Sequence, residues 1–151
     1  MQNEETTSDE RLMAMLSHLS ILFGGIILPI ILWATQKDKS RFVRYHALQA
    51  IFFHIAYVAI LVIVIVALVL VFMIFGIGLG AMTSKGSHHS DGGAFPAIMV
   101  ILMVVFYGGL FISIFGAMAY EIYLAVKSYQ GSYIKIPIIG KIIYKKVYGE
   151  L

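Results

Sequence analysis

Residues 47–79 read ALQAIFFHIAYVAILVIVIVALVLVFMIFGIGL, with no Asp, Glu, Lys or Arg among them. A helix needs about 20 apolar residues to cross the hydrocarbon core of a bilayer. The run is continuous, not alternating, so it is no barrel strand. In lipid a continuous run must satisfy its own backbone, which only a helix does. Two further runs flank it. Residues 12–33 are broken only by Ser17, His18, Ser20 and glycines. Residues 95–126 carry Ser113, Tyr120, Glu121 and Tyr123.

The whole chain fits this reading. Of 151 residues, 60% are hydrophobic and 13% charged, whereas soluble domains average about 25% charged and 45–50% apolar. An ordinary soluble domain and a disordered chain are both excluded. There is no cysteine, hence no disulfide framework, thiolate metal site or cysteine nucleophile. The expected fold is an all-α integral membrane protein with three transmembrane helices and a short C-terminal interfacial helix. Its segments are an acidic tail (1–11), a first span (12–34), a basic loop (35–46), a second span (47–80), a flexible Gly/Ser-rich outer loop (81–94), a third span (95–126) and a basic tail (127–151).

Two features complicate the spans. The second and third runs reach about 50 Å at 1.5 Å per residue, against about 30 Å of hydrocarbon. They must tilt, bend or pack on something beyond the membrane, which points to self-association or to other membrane subunits. The first run contains Gly24, Gly25 and Pro29. It either spans with a kink or re-enters as a hairpin broken at the glycines. The spanning version is carried forward here.

Lysines and arginines set orientation, being enriched on the cytoplasmic side. Arg11 lies in the N-terminal tail and Lys85 in the second loop. The other nine sit in the first loop (Lys37, Lys39, Arg41, Arg44) and the C-terminal tail (Lys127, Lys135, Lys141, Lys145, Lys146). Three spans put the N-terminus outside and the C-terminus in the cytoplasm, in the cell (inner) membrane. Re-entry would make the N-terminus cytoplasmic too. The tail MQNEETTSDE has no basic n-region, so no signal peptide is expected.

Ionisable groups inside a membrane are costly and each is a functional candidate. Glu121 and His54 fall at similar depth if the second and third helices pack antiparallel. They form a candidate intramembrane pair, either a proton relay or, as the better reading, a buried structural contact. His18, in SHLS, is expected near the outer leaflet with a backbone or helix partner. Gly109, Ser113 and Ala117 recur every fourth residue, spacing that lets helix backbones approach. Intramolecular packing is the first expectation for them and subunit contact the second. His88, His89 and Asp91 fit a solvated loop better than a metal site. The tail YIKIPIIGKIIYKKV (133–147) reads as an interfacial helix opened by Pro137 and held by anionic lipid, not nucleic acid. The chain contains no GxSxG, Walker loop, HExxH or dinucleotide fingerprint. No enzyme, cofactor or metal is expected.

The stretch LMAMLSHLS (12–20), Pro29, Trp33, KDKS (37–40), FVRYHALQAIFF (42–53) and the closing Gly131, Tyr133 and Pro137 resemble a family of small bacterial and archaeal membrane proteins with no assigned activity. That family is grouped with the twenty-kilodalton component of the chloroplast inner-envelope protein-import translocon and includes magnetosome membrane proteins. The family-motif positions here are His18, Phe42, His46, Gln49, Tyr133 and Pro137. Residues 60–110 match only in hydrophobicity. The resemblance implies a small helical bundle. It also implies, as an alternative to a non-enzymatic subunit or scaffold of a membrane complex, a transporter or pore component. The plant relative has four membrane helices, and three runs depart from that. His46 and Gln49 would form a polar collar at the start of the second helix.

Overall fold

The computed structural model describes residues 6–23, 25–83 and 94–149, and every regular element among them is helical. Helix α1 (Ser8–Leu19) begins with a reciprocal cap. The Thr7 hydroxyl accepts from the Glu10 N–H at 3.3 Å, and the Glu10 carboxylate accepts from the Thr7 N–H at 2.8 Å. Ala14, Ser17 and His18 form its buried stripe at helical spacing. A 3-10 turn over Ser20–Leu22 ends it. Gly25 then takes a φ of +67°, and its N–H closes onto the Ser20 carbonyl at 2.8 Å. Only glycine adopts that conformation without strain. Helix α2 follows (Ile27–Gln36), with Pro29 in its first turn, where a missing N–H costs nothing.

The first apolar run is therefore not one helix. At 12 and 10 residues, α1 and α2 reach about 18 and 15 Å, each far short of about 30 Å. The run also starts and finishes at one end. Arg11, which precedes it, lies 3.3 Å from where a Cβ on Gly131 would stand. Glu10 is hydrogen-bonded to Ser40, which follows it. In place of the expected single helix over 12–34 there is a helical hairpin turned at Gly25, and among the described residues two helices, not three, are long and apolar enough to cross a membrane. The physical cause is the positive-φ glycine next to a proline that starts a new helix.

Helix α3 (Arg41–Thr83) starts six residues before the expected second span and absorbs part of the expected basic loop. Helix α4 (Ala94–Tyr129) closes with a Schellman motif. Gly131 has a φ of +77°, its N–H reaches the Ser128 carbonyl at 2.9 Å, and the Ser132 N–H reaches Lys127 at 3.1 Å. Helix α5 (Ile139–Tyr148) is the expected short C-terminal helix.

The chain divides into two units. The first comprises residues 1–57 and 115–151. Its aromatic core joins α3 to α5: Tyr45, Leu48, Ile143 and Val147 are buried together, with Trp33, Tyr133, Tyr144 and Tyr148 packed on them. The segment before α5 is held by Gln49, whose side-chain amide acts as a short strand would. Its Nε2 donates to the Ile134 carbonyl at 3.0 Å and its Oε1 accepts from the Ile136 N–H at 2.9 Å. The Tyr45 hydroxyl adds a bond to Ile134 at 3.1 Å. Gly140 sits against this clamp. A Cβ there would lie 2.6 Å from Lys135 Cα and 2.9 Å from Gln49 Oε1.

The second unit, residues 58–114, holds the remainder of α3 and α4. Most of its described side chains are apolar and outward-facing: Ile63 is 67% exposed, Ile74 70% and Ile112 76%. A helix apolar all round belongs in lipid or against a partner. Residues 58–77 alone measure about 30 Å, one hydrocarbon thickness.

Candidate functional site

Three buried polar residues from three helices meet in the first unit. Glu121 on α4 is fully buried, and His18 on α1 and His46 on α3 are each 1% exposed. Glu121 Oε2 accepts from His18 Nδ1 at 2.7 Å. His18 Nε2 and His46 Nδ1 lie 3.2 Å apart, so one ring donates and the other accepts. Phe42 covers the His46 ring edge-on at 4.6 Å and meets Tyr133 at 5.0 Å. The node thus joins α1 to both long helices through buried side-chain hydrogen bonds. Glu121 Oε1 is buried and makes no hydrogen bond.

Burial explains what this arrangement does. A carboxylate taken out of water is costly, and a close partner offsets that cost only if the geometry is good. At 2.7 Å it is good. The node fixes one position of α1 against α3 and α4, with its bonds sealed from solvent. It is a poor metal site, because His18 spends both ring nitrogens on protein partners. Among the described residues no group of three His, Cys, Asp or Glu is arranged to hold a metal ion.

The expected pair is re-sorted. Glu121 bonds to His18, not to His54. His54 donates from Nδ1 to the Ala50 carbonyl at 2.6 Å on its own helix and lies under the Gly25 turn. His18 lies not apart from the other ionisable groups but 3.2 Å from His46. Of the family-motif positions, His18, Phe42, His46, Gln49 and Tyr133 all build the node or the clamp beside it. Pro137 does not open α5 directly. Its carbonyl accepts from the Ile139 N–H at 2.8 Å across Ile138, which holds a φ of +68°. Of the small-residue series, Ala117 is buried in the first unit, whereas Gly109 and Ser113 face outward in the second. A Cβ on Gly109 would meet nothing within 4 Å. His88, His89 and Asp91 lie outside the described residues.

Residues 9–143 match the magnetosome magnetite crystal formation protein family. The chain belongs to that family. The match covers the whole node and clamp, and it includes residues 60–110, where the sequence resemblance rested on hydrophobicity alone. It agrees with the magnetosome part of that resemblance and gives no support to a relation with the protein-import translocon. No curated protein and no solved structure matches the chain. Family membership and the two exposed apolar helices together make this a membrane protein.

One titratable group stands outside the spanning helices and is shifted. The Ser40 hydroxyl holds the Glu10 carboxyl below the ordinary carboxylate range, with the Thr7 N–H and hydroxyl assisting and burial opposing.

Proposed function

We propose that this chain is a non-enzymatic membrane subunit or scaffold acting in magnetite crystal formation at the magnetosome membrane. The observation that carries the reading is the family match over residues 9–143, joined to an apolar helical pair whose side chains face outward. The polar node supports a structural role, since its hydrogen bonds tie α1 to α3 and α4. The outward face at Gly109 and Ser113 supports contact with another membrane helix, from a second copy or a different subunit.

Both termini are assigned to the cytoplasmic side. The N-terminal tail, first loop and C-terminal tail converge in one unit, and together they hold ten of the eleven Lys and Arg. The α2 face formed by Ile27, Ile30 and Ile31 is exposed and apolar, as an interfacial re-entrant arm requires. The test is deletion of the chain from a magnetite-forming host, with crystal size distribution measured by electron microscopy. Smaller or irregular crystals, restored by the wild-type chain, support the proposal. Unchanged crystals contradict it.

A further inference from the structure

The first unit contains a polar cavity of about 640 Å³ that the node does not use. It is lined by Thr6, Glu10, Phe42, Arg44 and residues 37–41. Four lining side chains are cations (Lys37, Lys39, Arg41 and Arg44) and two are carboxylates (Glu10 and Asp38). The balance is more positive than this count, because Glu10 is occupied. Its Oε2 accepts from the Thr7 N–H at 2.8 Å and lies 3.2 Å from the Thr7 hydroxyl, and Ser40 also bonds to it. Asp38 is the remaining competitor.

Arg44 supplies the second observation. Its Nε is buried and has no hydrogen-bond partner. A buried guanidinium N–H demands an acceptor, and an anionic oxygen is the strongest one. The first turn of α3 opens at the same place. Ser40 Oγ accepts from the Val43 N–H at 3.2 Å, and the positive end of the helix adds to the field. The sequence position also matters. The cavity residues join the apolar α2 to the point where α3 turns continuously apolar at Ala47, which is where a membrane protein meets lipid headgroups.

We propose that this cavity binds a phosphate group, carried by an anionic phospholipid headgroup or present as free phosphate. Phosphate fits because it offers several acceptor oxygens to a fork-shaped guanidinium and to neighbouring lysines at once. The proposal needs only the membrane setting and is independent of any role in crystal formation.

The test uses the full chain purified in non-ionic detergent and followed by native mass spectrometry. Separate samples receive phosphatidylglycerol, phosphatidylcholine or inorganic phosphate. The variants are Arg44→Gln, the exposed pair Lys39→Gln/Arg41→Gln, and Lys146→Gln on α5 as a surface control. One phosphatidylglycerol retained per chain is expected, with phosphatidylcholine lost. Retention should fall about tenfold in Arg44→Gln and in the double variant and stay unchanged in Lys146→Gln. The double variant alters exposed side chains only, so it decides the matter if Arg44→Gln unfolds. Inorganic phosphate binding with the same variant dependence would assign the site to free phosphate, and lipid binding alone would assign it to headgroups. Retention of neither probe would overturn the proposal. So would equal retention in wild type and the double variant, or an equal fall in Lys146→Gln.

Discussion

At the scale of single residues, Glu121 and His18 share one bond at 2.7 Å in a site sealed from water. Removing His18 strands the buried Glu121 carboxyl, at a cost of about 3–5 kcal/mol, whereas removing Glu121 leaves His18 with His46 alone, 3.2 Å away. Glu121→Ala and His18→Ala should each lower the melting temperature in detergent, and the double variant should cost much less than the two summed. Additive losses would mean the groups are uncoupled. The pairing was legible in part. His18 lies seven residues past Arg11, about 10 Å of helix, and Glu121 six before Lys127, about 9 Å. Those depths agree once both are counted from one membrane face. A straight first span hides the match by sending His18 to the opposite face. At Glu10 the sign of the pH effect follows from its lowered pKa. A carboxylate with a depressed folded-state pKa stabilises the fold above its unfolded pKa, and the contribution is lost as pH falls through the folded value. Acid titration of stability should therefore show a shallower loss in Glu10→Gln than in wild type, and identical acid limbs would count against the Ser40 contact.

Among the elements, the long helices were plain in the sequence because nothing but a helix satisfies 33 consecutive, mostly apolar residues free of Asp, Glu, Lys and Arg in lipid. The Gln49 clamp was visible only as a family-motif position. A side-chain amide paired to a distant backbone leaves no periodic trace, and residues 49 and 134–136 are more than eighty apart. Gly140 gives the clamp a sharp test. A Cβ there meets Lys135 backbone at 2.6 Å, which no rotamer change relieves. Gly140→Ala should cost about 1–3 kcal/mol. It should also speed tryptic cleavage after Lys135, as should Gln49→Ala, whereas Gly76→Ala should do neither, having open space around it. In the second unit the expectation is reversed. Gly109→Leu adds bulk where no atom of the chain lies within 4 Å, so monomer stability should hold while self-association in lipid, read by cross-linking, should fall. Unchanged cross-linking would remove that face from any helix–helix contact.

At the scale of the whole molecule, α3 and α4 are the described helices long and apolar enough to cross a membrane, and the first loop belongs to the same polar-cored unit as the segments that flank α1 and α5. Composition already pointed to a membrane setting, and charge bias places the C-terminus on the cytoplasmic side as an expectation that cysteine labelling tests. The break in the first apolar run comes from one local event, the left-handed Gly25 before the Pro29 turn of α2. Glycine and proline are both tolerated within membrane helices, so their presence alone does not reveal a break. The chain has no native cysteine, which makes topology directly measurable. Gln2→Cys and Glu150→Cys variants can be exposed, in intact spheroplasts, to a maleimide that does not cross membranes. Both positions should stay unlabelled until the membrane is opened, while Ser87→Cys in the connecting loop should label at once. Labelling of Gln2→Cys with protection of Glu150→Cys would mean that the first apolar run crosses the bilayer, and the two-crossing account would be wrong.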